Sequence, residues 1–169
     1  MSMAATTALY VLRFFEMKRI LFVCHGNICR SPMAELIFKS LIKEEGLEDC
    51  FYVESAATST EELGNPVYPP AARELARHGI SSKGKYARQI TRLDYNSFDL
   101  IIGMDDANIR NMHRIFGGDP DCKIKKLLDY IGTGADVADP WYTGNFDETF
   151  RDAYAGCLAL LKSLMDSKV

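Results

Sequence analysis

Residues 19–32 read R-I-L-F-V-C-H-G-N-I-C-R-S-P and combine a strand, a loop and the start of a helix. The apolar run over residues 19–24 is typical of a strand buried on both faces of a parallel sheet. Pro32 directly follows Ser31 and is tolerated in the first turn of a helix. The loop can direct several backbone N–H groups at one point, and the helix N-terminus adds its positive end. The segment therefore predicts a concave site for a dianion such as phosphate.

Two side chains of this loop indicate chemistry as well as binding. Arg30 offers a planar fork to two phosphate oxygens, and Cys24 lies at the loop floor as a nucleophile, with five residues between them. The loop amides, the helix end and Arg30 favour the thiolate form of this cysteine. The same donors can stabilise the equatorial oxygens during phosphoryl transfer. The segment thus predicts hydrolysis of a phosphate ester by a cysteine nucleophile.

Strand-like and helical patterns alternate along the rest of the chain. This alternation predicts one α/β domain with a four-stranded parallel sheet flanked by helices on both faces, a flavodoxin-like or Rossmann-like fold. Ligands of such sheets bind beyond the carboxyl ends of the strands, where Cys24 stands. The predicted strands are 19–24, 51–55, 98–103 and 123–128, the predicted helices are 32–43, 69–78, 105–116 and 150–165, and 129–145 is predicted as a loop.

Length and charge restrict the class of protein. The 169 residues suit one domain with one core, and 47% hydrophobic with 25% charged residues is ordinary for a globular chain. The net charge is −3 at pH 7, which does not suit a nucleic-acid binder. Lys123, Lys125 and Lys126 form the one basic cluster, and we expect it to be a solvated face. No nucleic-acid partner is therefore expected.

The first 16 residues are interpreted as an extension of a domain that covers residues 17–169. Residues 9–15 are apolar apart from Arg13, which is far too short a run to span a bilayer. No basic cluster marks a secretory signal, so no membrane partner is expected. Met17 would be a natural start, and an upstream start or a cloning-derived extension with poor order is the favoured interpretation. An amphipathic docking segment is the alternative.

The five cysteines are scattered, which suits a reducing, cytoplasmic location rather than a disulfide scaffold. Cys50, Cys122 and Cys157 have apolar neighbours, and we expect them to be small buried side chains. Cys24 and Cys29 differ, because both lie in the predicted phosphate loop. A zinc site requires about four ligands, and no second Cys/His pair has suitable spacing. Neither a metal ion nor another cofactor is therefore expected.

The segment Asp139-Pro140-Trp141-Tyr142 predicts the proton donor that a leaving alkoxide or phenoxide requires. Asp139 is a carboxylic acid on a loop, followed by a stiff proline and two aromatic residues. The two rings can wall a slot for a planar substrate group, and they are expected to partly desolvate Asp139 and favour its protonated form. An Asp-Pro pair alone is typical of a turn. Beside a cysteine loop it indicates a general acid.

Five short motifs together resemble those of the low-molecular-weight protein tyrosine phosphatases over residues 18–168. The resemblance implies that Cys24 forms a phosphocysteine intermediate, that Arg30 clamps the phosphate, and that Asp139 protonates the leaving group and then activates water. It implies phosphotyrosine-containing proteins as substrates, inorganic phosphate or other oxyanions as ligands, and no metal. The motifs are C-H-G-N-I-C-R-S-P at 24–32, S-A-A-T-S at 55–59, A-R-Q-I at 87–90, M-D at 104–105 and D-P-W-Y at 139–142.

Supporting roles also follow from the resemblance. Ser31 is expected to hydrogen-bond the Cys24 sulfur and aid its departure. Asn27 is expected to be held in a strained conformation by Ser31 and Ser55. Cys29 matches the partner of the nucleophile in reversible oxidation, which would protect Cys24 from over-oxidation. The expected phosphate-binding loop consists of His25, Gly26, Asn27, Ile28, Cys29 and Arg30.

Three residues depart from or refine the family pattern. Lys85 stands where many members have a histidine that supports the loop asparagine, so this support is altered here. Glu61 stands where family tyrosine phosphatases often carry an aromatic residue, and one wall of the substrate slot is expected to be polar. Ile28 resembles the tyrosine-phosphatase branch, because the related protein-arginine phosphatases have Thr at this place.

For the oligomeric state, we expect a monomer or a weak dimer.

Four other functions compete with this interpretation. An arsenate reductase needs a relay of further cysteines, but residues 80–100 contain none and Cys122 and Cys157 are not paired in sequence. A protein-arginine phosphatase is disfavoured by Ile28, although Glu61 could accept a guanidinium. A phosphate-sensing binding module would not need the general acid. A nucleotide-binding P-loop would require a Gly-Lys-Ser/Thr ending, which the loop lacks.

Overall fold

The structure is a computed structural model and describes residues 16–167. The predicted extension 1–16 lies outside this range except for its last residue. The strands are β1 (Lys18–Cys24), β2 (Phe51–Ala57), β3 (Leu100–Gly103) and β4 (Ile124–Lys126). The helices are α1 (Arg30–Glu44), α2 (Pro69–Arg77), α3 (Arg92–Ser97), α4 (Asp106–Phe116), α5 (Pro140–Thr143) and α6 (Phe146–Asp166), with 3-10 turns at Glu48–Cys50 and Leu127–Ile131.

The four strands form one parallel sheet in the order β2-β1-β3-β4. Its register pairs Cys24 at the end of β1 with Ala57 at the end of β2, and Gly103 at the end of β3 with Lys126 at the end of β4. The carboxyl ends of all four strands therefore meet at one edge. This arrangement confirms the predicted four-stranded parallel fold and brings the residues that follow each strand together.

Helices cover both faces of the sheet. The central strand β1 is apolar at every central position, so its side chains can pack against helices on either face. Ile20 and Phe22 pack in one core layer, which also contains side chains of α1 and α6. Leu21 and Val23 point to the opposite layer, which contains side chains of α3 and α4. All four side chains are fully buried. This alternation explains why an uninterrupted apolar run forms the central strand.

Two local features fix the helices next to the site. The Asp105 carboxylate accepts a hydrogen bond from the Asn108 N–H at 2.7 Å and thereby caps α4, which ends at Gly117 in the left-handed conformation. Helix α6 approaches the 3-10 turn so closely at Gly156 that an added Cβ would lie 2.5 Å from Leu127 Cγ. Only glycine permits this contact.

The prediction of a continuous loop over residues 129–145 is wrong. The segment contains most of the 3-10 turn Leu127–Ile131, helix α5 and the first cap of α6. The predicted strand 123–128 is shorter for the same reason, since the chain turns after Lys126. Helix α6 begins at Phe146 because Asn145 accepts a hydrogen bond from the Glu148 N–H at 3.0 Å. A cap of this kind starts the helix four residues earlier than the predicted start at residue 150.

Two predictions about single side chains also fail. Cys122 is exposed, because it lies in the turn before β4 with φ of 53°, whereas Cys157 is buried as expected. Lys126 is not part of a solvated face: its side chain is only 8% exposed, and it pairs with two aspartates. Within residues 16–167, every helix is too short or too polar to cross a bilayer.

Candidate active site

Cys24 lies at the sheet edge where β1 ends, and residues 24–31, the phosphate loop, connect it to α1. The Cys24 sulfur lies 3.0 Å from Ser31 Oγ and accepts the Asn27 N–H at 3.3 Å. Cys24 is 3% exposed and Ser31 is fully buried. One N–H donor and one hydroxyl thus converge on a buried sulfur, at the N-terminus of a fifteen-residue helix.

Asn27 holds the loop in shape from behind. Its φ of 59° is unusual for a residue other than glycine and costs about 1–3 kcal/mol. Its side-chain amide donates to Ser31 Oγ at 2.8 Å and to Ser55 Oγ at 2.9 Å, and its carbonyl accepts the Arg88 N–H at 3.2 Å. Asn27 is 1% exposed. Three hydrogen bonds in a buried setting therefore maintain the strained turn.

A buried carboxylate that the sequence analysis missed stands behind Ser55. Glu35 on α1 accepts a hydrogen bond from the Ser55 hydroxyl, another from Lys39 Nζ at 2.7 Å, and lies 3.3 Å from Lys85 Nζ. Lys85 also donates to the Ser55 carbonyl at 2.9 Å. Burial lowers the pKa of Lys85 even though Glu35 opposes this shift. A charged residue on the apolar face of α1 was the signal that could have revealed Glu35.

Arg30 is the first residue of α1, and its guanidinium is 3% exposed. Nη1 donates to Asp105 Oδ2 at 2.6 Å and to the Val137 carbonyl at 3.2 Å, while Nη2 donates to Asp139 Oδ2 at 3.2 Å. Burial works against the charge, but Cys24 and the two carboxylates outweigh it and raise the pKa of Arg30. Asp105 was predicted only as the start of a helix and as part of the M-D motif at 104–105, and one of its carboxylate oxygens also orients this guanidinium.

Residues 136–142, the acid loop, carry Asp139 to the same place. Asp139 Oδ1 accepts the Trp141 N–H at 3.1 Å and caps α5, so that Oδ2 remains directed at Arg30. Trp141 packs on Tyr68 with ring centroids 5.1 Å apart, yet it is 56% exposed, and Tyr142 is 85% exposed. Both rings are thus largely exposed, while the Asp139 side chain is partly shielded from water, with 26% of it exposed.

The phosphate loop and the acid loop enclose a pocket of about 400 Å³. Glu61 stands at its rim, where its carboxylate lies 3.0 Å from His25 Nε2. Asn27, Ser31 and Ser55 support the pocket from behind. The lining consists of Cys24, His25, Gly26, Ile28, Cys29, Arg30, Glu61, Glu62, Asp139, Trp141 and Tyr142. The structure thus brings together the nucleophile, clamp and acid predicted from distant parts of the sequence.

Cys29 lines the same pocket as Cys24. The pKa of Cys29 rises to about 12, mainly because the thiol is buried and secondly because of the charge interaction with Cys24. Cys29 is therefore a neutral thiol at physiological pH. Both cysteines are buried and unbridged. Among the residues that the structure describes, no group of three or more His, Cys, Asp or Glu side chains is arranged to hold a metal ion.

The sequence and the fold are both similar to those of known proteins. The family described as low molecular weight phosphotyrosine protein phosphatase matches residues 19–169. The chain is 44% identical over 151 residues to the low molecular weight protein-tyrosine-phosphatase YfkJ of Bacillus subtilis, covering 88% of this chain and 97% of YfkJ. The crystal structure of YfkJ matches with a TM-score of 0.89 and 43% identity over 92% of this chain and 99% of that one.

Two animal proteins show the breadth of the similarity. The low molecular weight phosphotyrosine protein phosphatase of Rattus norvegicus is 40% identical over 154 residues, covering 88% of this chain and 94% of the relative. The structure of a Drosophila arginine phosphatase matches with a TM-score of 0.78 and 33% identity, covering 88% of this chain and 98% of that one. The family match spans nearly all of the described residues. This chain belongs to the low-molecular-weight protein tyrosine phosphatase family.

Proposed function

We propose that this protein hydrolyses phosphotyrosine in proteins, and small aryl phosphates, through a phosphocysteine intermediate and without a metal. Family membership supports phosphotyrosine hydrolysis. The observation that carries the finer mechanism is the convergence of Cys24, Arg30 and Asp139 on one pocket. In this proposal they act as nucleophile, phosphate clamp, and general acid and base.

The first step transfers the phosphoryl group to sulfur. The Cys24 thiolate attacks phosphorus, a P–S bond forms as the P–O bond breaks, and Asp139 gives its proton to the departing phenolic oxygen. The loop amides and the Arg30 guanidinium stabilise the equatorial oxygens. An incoming dianion competes with Asp139 for Arg30 Nη2, and its negative charge favours a proton on that carboxyl.

The second step returns the enzyme to its starting state. The Asp139 carboxylate removes a proton from water as the water oxygen attacks phosphorus. The P–S bond breaks, inorganic phosphate leaves, and Cys24 is again a thiolate. The Ser31 hydroxyl lies 3.0 Å from the sulfur and can donate a hydrogen bond to it as it departs. Charge-assisted hydrogen bonds of this kind lower the cost of an anionic leaving group.

The pocket rim supports an aryl substrate over phosphoarginine. Trp141 and Tyr142 offer ring faces to a phenyl group, and Ile28 adds an apolar contact. The Glu61 carboxylate, which could bind a guanidinium, is already paired with His25 at 3.0 Å. Phosphoarginine is nevertheless the competing substrate to measure, because the chain is also similar to an arginine phosphatase.

The role of Asp139 is tested by Asp139→Asn with a series of aryl phosphates whose leaving groups differ in pKa. We expect kcat/KM to fall about 10²–10³-fold for poor leaving groups and only about threefold for good ones, since good leaving groups need no proton. Equal losses across the series would contradict the general-acid role.

The role of Cys24 is tested by Cys24→Ser, which removes the nucleophilic sulfur but keeps a side chain of similar size. We expect no measurable turnover, with inorganic phosphate still bound as judged by calorimetry. Retained turnover would contradict the covalent mechanism. Loss of both turnover and phosphate binding in a folded variant would show that sulfur is needed to organise the loop rather than to react.

A further inference from the structure

Lys126 is a buried lysine outside the pocket. It ends β4 beside Gly103 of β3, and its side chain is 8% exposed. Nζ lies 2.8 Å from Asp106 Oδ1 and 2.9 Å from Asp136 Oδ1. These two hydrogen bonds, that to Asp106 first, raise the pKa of Lys126 above its usual value. The ammonium group therefore keeps its charge throughout the physiological range.

Each of the two aspartates lies close in sequence to a residue of the proposed mechanism: Asp106 to the partner of Arg30, and Asp136 to the general acid. Asp106 is the first residue of α4 and follows Asp105, which orients Arg30 at 2.6 Å. Asp136 opens the acid loop, three residues before Asp139. One ammonium group thus joins the helix start that fixes the clamp to the loop that carries the acid.

The acid loop has a further attachment next to Asp136. Val137 is 1% exposed, its N–H donates to the Met104 carbonyl at 2.8 Å, and its carbonyl accepts from Arg30 at 3.2 Å. On the Asp139 side, the Ala138 carbonyl accepts a hydrogen bond from the Thr149 hydroxyl at 3.3 Å, and Asp139 accepts one from Arg30 at 3.2 Å. The Lys126–Asp136 contact holds the loop on the other side of Val137. It therefore contributes to the direction in which the loop runs, and hence to where Asp139 stands.

We propose that Lys126 is a positioning residue for the general acid: it sets the orientation of the acid loop so that Asp139 meets the leaving group. Lys126 does not line the pocket and does not contact substrate. The inference rests on the proposed role of Asp139. A displacement of about 1 Å at a reacting group can lower a rate by up to about 10²-fold, so a modest pivot is enough to be measured.

The test is Lys126→Met, which keeps the apolar stem and removes the charge. The fold should persist, because the side chains of Asp106 and Asp136 are 67% and 48% exposed and water can solvate them. We expect kcat/KM for aryl phosphates with poor leaving groups to fall about tenfold. The kcat/KM for good leaving groups and the inhibition constant of inorganic phosphate should each change less than about twofold. Lys125→Met, at the exposed neighbouring position of β4, is the matched control and should change neither.

A second variant separates positioning from general loosening. Asp136→Asn should reproduce the leaving-group effect, and the double variant with Lys126→Met should be no worse than either single one, because both break one contact. An equal fall for all leaving groups, or additive effects in the double variant, would overturn the proposal. Asp139→Asn in the same assay keeps the two proposals distinct. If its losses do not depend on the leaving group, the proposed general acid is wrong. If they do depend on the leaving group but Lys126→Met has wild-type kcat/KM, only the positioning role of Lys126 is rejected.

Discussion

The phosphate loop and the acid loop meet in one pocket but differ in how far their side chains are exposed to water. Behind the phosphate loop, Asn27, Ser31, Glu35 and Ser55 are each at most 3% exposed and bonded to one another. In the acid loop the pocket-lining Tyr142 is 85% exposed. A site that stabilises developing charge must be fixed in advance, since donors that reorganise during the reaction are less effective. A loop that admits a large substrate and releases phosphate can remain exposed.

Arg30 links the two loops most directly, because it belongs to the phosphate loop and its guanidinium contacts Asp139 of the acid loop. Arg30→Lys keeps the charge but loses the planar fork, and with it the bonds shared between Asp105 and Asp139. We expect kcat/KM for an aryl phosphate with a good leaving group to fall about 10³-fold. Arg19→Lys, near the other end of β1, is the matched control and should change kcat/KM less than about twofold. A loss below tenfold for Arg30→Lys would mean that the guanidinium is not the main clamp.

The buried scaffold of the phosphate loop is tested by Glu35→Gln. This change leaves Lys85, whose side chain is 13% exposed, without its counter-charge and weakens the bond to Ser55. We expect the free energy of unfolding to fall by about 3 kcal/mol and the affinity for inorganic phosphate to fall several-fold. Urea unfolding and phosphate inhibition measure the two effects.

Glu74→Gln is the matched control for Glu35→Gln. Glu74 is a similarly buried carboxylate, but its partners Arg77 and His78 are 72% and 43% exposed, and it lies on α2 away from the loop. We expect a loss of at most about 1 kcal/mol and no change in phosphate affinity. If both glutamine variants weakened phosphate binding equally, Glu35 would have no specific role in shaping the loop.

The smallest expected effect concerns oxidation within the phosphate loop. Peroxide converts the Cys24 thiolate to a sulfenic acid, and the neutral Cys29 thiol can then condense with it, forming an S–S bond and releasing water. After peroxide and then dithiothreitol, we expect Cys29→Ser to recover about half the activity that the wild type recovers, or less. The control is Cys50→Ser, which is outside the pocket. Equal recovery in all three proteins would reject the disulfide.

The sequence predicted the parts of this molecule that depend on local pattern. The apolar run of β1 and the helical pattern over residues 105–116 each identify an element by its own residues. Helix α3 was missed, because only six residues form it and a Thr91–Asp94 capping box rather than an apolar stripe defines it. Short elements of this kind depend on hydrogen bonds that periodicity does not record.

The convergence of Cys24, Arg30 and Asp139 on one pocket was predictable for a similar reason, whereas the contacts that support the pocket were not. Cys24, Arg30 and Asp139 stand in compact motifs that name their chemistry. Glu35 and Lys126 act through partners far away in sequence, at Ser55 and Asp106. A charged residue is ordinarily expected on a surface. The position of Glu35 on the apolar face of α1 is a local signal that it is buried, but only the packed structure identifies the partners of Glu35 and Lys126.

The most direct test of the account is steady-state hydrolysis of phosphotyrosine, phosphoarginine and phosphoserine by the wild type and by Cys24→Ser, with a chelator present. The account predicts that phosphotyrosine has the highest kcat/KM, that the chelator changes nothing, and that Cys24→Ser abolishes hydrolysis of all three. A preference for phosphoarginine would contradict the assigned substrate. Hydrolysis that persists in Cys24→Ser, or that stops with the chelator in the wild type, would contradict the mechanism.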